Sequence, residues 1–195
     1  AIGEVEVKYL PRQKYTAVFN IATDTDLEPK YHTKKVETPA EPLAVLEDIK
    51  NDYLARSGVQ YLETHSASAY YSPTADTVCV PEKEQFEETA EFYSTVFHEL
   101  GHSTGHKSRL NRFDCGAGVA SFGSEDYSKE ELIAELGAAA LCGKCGIESE
   151  RSFRNSAAYI QGWMKAIEDD PNLLVSAAGK ADKAVEFILG EEEAA

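Results

Sequence analysis

The sequence predicts an α+β fold, in which a small mixed or antiparallel sheet packs on one helix and a helical half follows. Three observations favour this fold. Short runs rich in β-branched and aromatic residues stand before residue 81. Apolar residues after residue 87 recur at helical spacing. The third observation is size, since 195 residues with 43% hydrophobic content suit one domain with a packed core.

The first 41 residues are predicted to precede the main domain. Residues 5–10 and 15–21 have the composition of strands, and the stretch after them is polar and contains prolines. We therefore assign residues 1–41 to an N-terminal extension or to the tail of an upstream domain. We place the main domain at residues 42–190 and an acidic tail at residues 191–195.

The main domain opens with a predicted helix over residues 42–56, where leucine and isoleucine recur at helical spacing before Gly58. Three short strands follow, at residues 59–64, 69–72 and 77–80. Residues 73–75 contain a proline and are predicted to form the turn between the last two strands.

The helix predicted over residues 87–104 carries an apolar stripe at spacings of three and four. Its members are Tyr93, Val96, Phe97 and Leu100. A long loop with three glycines is predicted from residue 107 to residue 127, and loops of this length are often functional. Three further helices complete the domain, at residues 128–142, 151–169 and 173–189.

Acidic residues outnumber basic ones 34 to 19, which gives a net charge of −15. Proteins bind a phosphate backbone through clustered lysine and arginine, so this segment alone is not expected to bind nucleic acid. No apolar run is long enough to cross a membrane, and no secretory leader is recognisable. Four cysteines in so long a chain do not resemble a disulfide framework. We therefore expect a cytoplasmic protein without membrane contact.

The chemistry is concentrated on the helix over residues 87–104, at His98-Glu99-Leu-Gly-His102. Two histidines four residues apart stand one helical turn above each other, so that both imidazoles can bind one zinc ion. Glu99 projects beside them, within reach of a water on the same metal. Zinc lowers the pKa of such a water toward about 7, and Glu99 can take its proton. We predict one zinc ion per chain, with His98 and His102 as ligands and Glu99 as the catalytic base.

A third ligand is expected on the next helix. The metzincin pattern would place a histidine six residues after His102, but that position is Ser108. Glu131 and Glu135 lie four residues apart and share a helix face, so that one can bind the metal while the other orients a ligand. We prefer Glu131 as the ligand and keep Glu135 as the alternative.

Several neighbouring positions have more than one interpretation. Ser128-x-x-Glu131 also matches a capping box, in which Glu131 folds back onto the start of its helix. Glu130 is predicted to be a solvated acid of the first helical turn. Tyr127 precedes this helix and is a candidate to help hold a developing oxyanion. His106 either lines the cleft or lies in a plain loop.

Three stretches of the chain carry a family resemblance. They are Ala-Tyr-Tyr-Ser-Pro and Asp-Thr-Val-Cys-Val-Pro within residues 69–81, His-Glu-Leu-Gly-His-Ser-Thr-Gly-His-Lys-Ser-Arg-Leu-Asn-Arg at residues 98–112, and Glu-Glu-Leu-Ile-Ala-Glu-Leu-Gly-Ala-Ala-Ala-Leu at residues 130–141. These stretches resemble the zincin-like metallopeptidase domain of ArdC-type antirestriction proteins, which are associated with plasmids, phages and conjugative elements. The resemblance runs over residues 60–190.

This resemblance implies a zincin-like fold and a gluzincin-like zinc site. His98, His102 and a glutamate of the next helix would be the ligands, with Glu99 as catalytic acid and base. The gluzincin-like pattern supports Glu131 over Glu135. The hairpin of residues 70–80 is either an ordinary core hairpin or a strand edge that pairs with an extended substrate.

Two functions follow as hypotheses. The first is a zinc metallopeptidase acting on a protein or peptide substrate. The second is a zinc-stabilised binding module that protects DNA through a partner or an upstream domain. Members of the ArdC-type family carry an N-terminal domain that binds single-stranded DNA, and residues 9–21 would be at most its tail. Glu99 favours the peptidase, because a purely structural zinc site needs no base.

Overall fold

The computed structural model describes residues 42–113, 125–147, 161, 163–164 and 167–191, all within the unit Glu37–Ala195. The predicted strands at residues 5–10 and 15–21 and most of the acidic tail lie outside these ranges, so the boundary near residue 41 stays a prediction. The helix predicted over residues 151–169 is described only in part, and those described residues before Asp170 are helical. Within the described ranges, no helix combines the length and the hydropathy that a membrane span requires.

The described helices and strands follow the predicted order. Helix α1 spans Pro42–Ser57 and is followed by Gly58, whose positive φ of 71° favours a residue without a side chain. The strands are β1 (Gln60–Thr64), β2 (Tyr70–Ser72) and β3 (Thr77–Pro81). The longer helices after them are α2 (Thr89–Ser103), α3 (Glu125–Lys144) and α4 (Asn172–Leu189).

The three strands form a mixed sheet in the order β1-β3-β2. Strand β1 runs parallel to β3, whereas β2 runs antiparallel to β3 and lies at the edge. The turn between β2 and β3 ends at Asp76, which adopts the left-handed conformation with a φ of 48°. The sequence left a mixed or an antiparallel sheet open, and the parallel pairing of β1 makes it a mixed one.

The core lies between the sheet and the helices, because each element contributes one apolar face. The stripe predicted on α2 is buried there together with residues of α1, β3, α3 and α4. The fully or nearly fully buried members include Leu46, Tyr53, Val78, Val80, Val96, Phe97, Leu100, Leu141, Val185 and Ile188. Burying one such side chain contributes about 1.5–3 kcal/mol, whereas a surface ion pair contributes about 1 kcal/mol or less. Apolar packing therefore holds α2 in place.

Helix α3 begins three residues earlier than the sequence predicts. Residues 125–127 are helical, so the predicted loop is shorter at its C-terminal end. Glu125 and Asp126 give the first turn of α3 the negative charge that favours a helix N-terminus. These two acidic residues are therefore a start signal for α3 upstream of Ser128.

Two cysteines lie at the end of α3 and face the core. Cys142 and Cys145 are both buried and belong to the apolar core cluster. Burial and the neighbouring Cys145 raise the pKa of Cys142 to about 12. The Cys142 thiol is therefore protonated at neutral pH, whereas a metal ligand must be a thiolate.

Helices α2 and α3 pack closely at Gly101. A Cβ atom added to Gly101 would lie 3.4 Å from Cα of Ala134, and Ala134 is itself fully buried. A longer side chain at either position would separate the two helices. The small residues at this crossing therefore bring the glutamates of α3 within reach of the histidines of α2.

We expect Gly101→Val to lower the free energy of unfolding by about 1–3 kcal/mol, because its methyl groups have no space against Ala134. The matched control is Gly179→Val on α4, where no atom lies within 4 Å of the added Cβ. Urea unfolding of the chelator-treated proteins measures both changes. Wild-type stability of Gly101→Val would contradict the close crossing.

Candidate metal centre

Two imidazoles converge on the face of α2 that is covered by α3. The ring centres of His98 and His102 are 4.7 Å apart, and their Nε2 atoms face each other at 3.1 Å. Only 17% and 13% of the two side chains are exposed. The spacing of four residues on a helix therefore produces the convergence that the HExxH motif predicts.

Glu131 on α3 brings the third donor. One of its carboxylate oxygens lies 3.5 Å from Nε2 of His98, and the other lies 3.3 Å from Nε2 of His102. A tetrahedral zinc ion with bonds of about 2.0–2.1 Å sets neighbouring ligand atoms about 3.3 Å apart. The three donor separations lie close to that value. One ligand atom from each residue lies within 4.8 Å of the others, so the three side chains can hold one metal ion.

This donor set fits an open site for a divalent metal. Among the residues that the structure describes, the group has three members, two imidazoles and a carboxylate. Three protein ligands leave a coordination position for water or substrate, whereas structural zinc sites are closed by four protein ligands. The donor set of the described residues therefore fits a divalent metal ion with at least one position open.

Glu135 contacts the other nitrogen of His98. Its Oε1 atom lies 3.4 Å from Nδ1, whereas Glu131 lies near Nε2. A carboxylate at Nδ1 holds a proton there and leaves the lone pair of Nε2 for a metal. Of the two glutamates that the sequence left open, the structure brings Glu131 to both convergent nitrogens and Glu135 to the opposite edge of one ring.

Two expectations for the beginning of α3 are wrong. The capping box fails because α3 begins at Glu125, which leaves Ser128 inside the helix, and because Glu131 turns toward the imidazoles. Glu130 is not a solvated acid, since only 15% of its side chain is exposed and it faces His102. The earlier start of the helix explains both differences, because it moves these residues from the first turn into the packed part of α3.

Glu130 joins His102 to Arg112, a residue of the post-helix segment (residues 104–113). Oε1 of Glu130 lies 3.6 Å from Nδ1 of His102. Arg112 donates to both oxygens of Glu130, from Nη2 at 2.5 Å and from Nε at 3.1 Å. Arg112 also donates to the carbonyl oxygen of Gly101 at 2.9 Å and to the hydroxyl of Thr104 at 2.6 Å. One guanidinium group therefore connects the end of α2 with α3.

A second arginine of the post-helix segment, Arg109, holds the β2–β3 hairpin. Only 2% of its side chain is exposed, and it forms a bidentate ion pair with Asp76 in the hairpin turn. Arg109 also donates to the carbonyl oxygen of Ser103 at 2.7 Å. Burial raises the pKa of Asp76, but hydrogen bonds from Arg109 and Tyr71 outweigh burial and lower it. The charged pair therefore ties the hairpin to the end of α2.

The structure places His106 beside the hairpin turn. Its Nδ1 atom lies 2.7 Å from Oγ of Ser108 and 3.9 Å from Oδ2 of Asp76. His106 does not belong to the metal-binding group found among the described residues. Tyr127 lies in the first turn of α3, and its side chain is outside the described part of the structure. The predicted role of Tyr127 at an oxyanion stays a prediction.

Glu99 lies between the two histidines in the sequence and is 7% exposed. Burial raises its pKa, and the positive charges of His102 and His98 oppose this effect only in part. The carboxylate of Glu131 raises the pKa further, and a backbone hydrogen bond from Tyr71 lowers it. The net result is a pKa above the usual value of a glutamate, which makes Glu99 a better proton acceptor near neutral pH.

The carboxylates of α3 set the charge of the two histidines. Burial lowers the pKa of His98, but hydrogen bonds to Glu131 and Glu135 outweigh burial and raise it to about 10. The pKa of His102 is also raised, because hydrogen bonds to Glu130 and Glu131 outweigh burial. Burial raises the pKa of Glu131, but its hydrogen bonds to the two histidines hold that pKa well below its usual range. The α3 carboxylates therefore favour the protonated form of His98 and shift His102 in the same direction.

Sequence reasoning missed Glu130, Arg109 and Arg112. A signal for Glu130 was present, since the residue next to Glu131 lies about 100° around the helix and can reach a second ring. The two arginines belong to an irregular segment, where spacing gives no direction to a side chain. Only the packed structure shows which partner each arginine meets.

Two proteins with similar sequences are longer than this chain. The chain is 36% identical over 183 residues to a DNA primase TraC of Escherichia coli, which is 94% of the chain but 16% of that protein. It is 30% identical over 156 residues to the uncharacterised protein y4eC of Sinorhizobium fredii, which is 80% of the chain and 49% of that protein. The chain therefore spans less than half the length of each of these relatives.

Among solved structures, the antirestriction protein ArdC of plasmid R388 in its Mn(II)-bound form is similar to this chain. The TM-score is 0.60 and the sequence identity is 35%, over 88% of this chain and 60% of ArdC. A family model described as zincin-like metallopeptidase matches residues 49–180, which include the whole metal-binding group. The chain therefore belongs to the zincin-like metallopeptidase family.

Proposed function

We propose that this chain is a zinc-dependent peptidase that hydrolyses peptide bonds in a protein or peptide substrate. The observation that carries the proposal is the convergence of donors from His98, His102 and Glu131, with the buried Glu99 on the same helix. Zinc is proposed as the ion because two imidazoles and one carboxylate are a usual ligand set of catalytic zinc sites. One ion per chain is expected.

Each residue of the site has a part in this proposal. A bound zinc ion supplies Lewis-acid chemistry, since it polarises a carbonyl oxygen and lowers the pKa of a bound water to about 7. Glu135 holds the proton of His98 on Nδ1 and so keeps Nε2 available as a ligand atom. Glu99 accepts a proton from the attacking water and delivers it to the nitrogen of the leaving amine. The raised pKa of Glu99 favours the first transfer near neutral pH.

Strand β2 is proposed to bind the backbone of the substrate. In the described sheet, β2 pairs with β3 on one side and forms the edge on the other. An extended peptide can add to such an edge through main-chain hydrogen bonds. A backbone hydrogen bond from Tyr71 of β2, which lowers the pKa of Glu99, supports this role, because it means that the edge strand is close to the proposed base. The Arg109–Asp76 ion pair keeps the hairpin in that position.

We also propose that the peptidase serves antirestriction in a mobile genetic element. The support is the similarity to ArdC, which is named an antirestriction protein. The net charge of −15 argues that a protein or peptide, rather than nucleic acid, is the direct substrate of this segment. The competing hypothesis is a binding module that holds the metal for stability alone, and it predicts metal binding without hydrolysis.

The wild-type chain should contain one zinc ion, and His98→Ala should lose it because only two donors remain. The matched control is His65→Ala, since the side chain of His65 is 83% exposed and lies outside the group. Elemental analysis of the purified proteins measures the metal content. Full metal content in His98→Ala would contradict the site, and manganese in the wild type would contradict the choice of zinc.

Glu99→Gln should keep the metal and lose peptidase activity by a factor of about 10²–10⁴, which is the usual contribution of a general base. The exposed Glu84 offers the matched control Glu84→Gln, which should retain both properties. Initial rates on a broad library of fluorogenic peptides measure the loss. A zinc-loaded wild type that cleaves no peptide would support the binding module instead.

Zinc binding at neutral pH should release protons, because a metal binds neutral imidazole. The pKa of His98 is raised to about 10 and that of His102 is also raised, so zinc must displace at least the proton of His98 into the buffer. As the pH falls below these pKa values, zinc affinity should decrease by about tenfold per pH unit for each displaced proton. Calorimetry in buffers of different ionisation enthalpy counts the protons. Binding without proton release would show that the imidazoles are neutral before zinc binds.

A further inference from the structure

We propose that Glu130 and Arg112 are positioning residues of the metal centre, which act on His102 through its Nδ1 atom. The inference rests on the proposed role of His102 as a ligand and extends it to two residues that are not ligands. Neither residue belongs to the metal-binding group of the described structure. Both are nearly covered, with 15% of the Glu130 side chain and 8% of the Arg112 side chain exposed.

The tautomer of His102 decides whether its Nε2 atom can bind a metal. Nε2 can bind a metal only when it presents a lone pair, which requires the proton of the neutral ring to be on Nδ1. Glu130 is the carboxylate that faces this Nδ1 atom, at 3.6 Å. Glu135 faces Nδ1 of His98 in the same way, at 3.4 Å. The two imidazoles are therefore supported by two glutamates five residues apart on α3.

Arg112 fixes the position of the Glu130 carboxylate. The guanidinium group donates to both oxygens, so the carboxylate cannot rotate without losing two hydrogen bonds. The same group donates to the carbonyl oxygen of Gly101, the residue before His102. Arg112 therefore holds the backbone next to the ligand and the carboxylate that orients its ring. It also neutralises Glu130, which disfavours Glu130 as a competing ligand of the metal.

Zinc affinity of the chain tests this proposal through competition with a chromophoric chelator at neutral pH. Glu130→Gln should weaken the affinity about 10–100-fold, because an amide is a poorer acceptor for Nδ1–H and a poor partner for Arg112. The visible absorption spectrum of the Co(II)-substituted protein should change, since the ring of His102 turns. Glu186→Gln, at an exposed position on α4, is the matched control and should change neither readout.

Arg112→Lys should also weaken zinc binding, because lysine keeps the charge but cannot make two parallel hydrogen bonds. If Arg112 acts in part through Glu130, the loss of affinity in the double variant should be smaller than the sum of the two single losses, because the contact of Arg112 with the carbonyl oxygen of Gly101 is the part that does not depend on Glu130. Fully additive losses in the double variant would contradict that link. Arg112→Lys and Glu130→Asp also provide the test if Glu130→Gln does not fold.

Wild-type zinc affinity together with an unchanged Co(II) spectrum in Glu130→Gln would overturn the proposal. Thermal unfolding of the chelator-treated variants distinguishes a positioning role from a merely structural one. In the structural case the variants would be less stable than the wild type, but the folded variants would bind zinc with wild-type affinity. Such a result would also overturn it. A wild type that binds zinc and cleaves no peptide would contradict the proposed peptidase and leave this inference intact, because neither readout depends on hydrolysis.

Discussion

The close packing of α2 against α3 is the constraint on which the metal centre depends. The two imidazoles belong to one helix and the carboxylates to the other, so the donor separations are set by the distance between the helices. Gly101 and Ala134 keep that distance short, since neither places more than a methyl group at the crossing. The apolar cluster around the sheet holds α2 from its other side. The site is therefore a product of core packing and not of the HExxH motif alone.

The charged groups alternate in sign with distance from the point where the donors of His98, His102 and Glu131 converge. The two imidazoles surround the Glu131 carboxylate, Glu130 and Glu135 lie behind the rings, and Arg112 lies behind Glu130. An uncompensated carboxylate in such a covered place would cost several kcal/mol, which explains why Glu130 has a guanidinium partner. The carboxylates around the two rings therefore suit a positive charge at this position.

Local patterns in the sequence predicted the main helices, the positions of the three strands along the chain and the convergence of the two histidines, because these depend on local geometry. The family resemblance, and not periodicity, supported Glu131, which reaches both Nε2 atoms, over Glu135. Local patterns could not predict the role of Glu130, since that role depends on how far α3 is rotated about its axis and on where α3 begins. The contacts of Arg109 and Arg112 could not be predicted for a different reason. They lie in an irregular segment, where the direction of a side chain follows from tertiary contacts.

The post-helix segment folds back on itself through main-chain hydrogen bonds from Leu110 to Thr104 and from Arg112 to Gly105. Its arginines stand seven and ten residues after His102, and each reaches a different partner element. An insertion or deletion between His102 and Arg112 would move at least one guanidinium away from its partner, so the geometry of the site fixes the length of this segment. A search pattern that adds these two spacings to HExxH would therefore separate sites of this construction from chance occurrences of the five-residue motif.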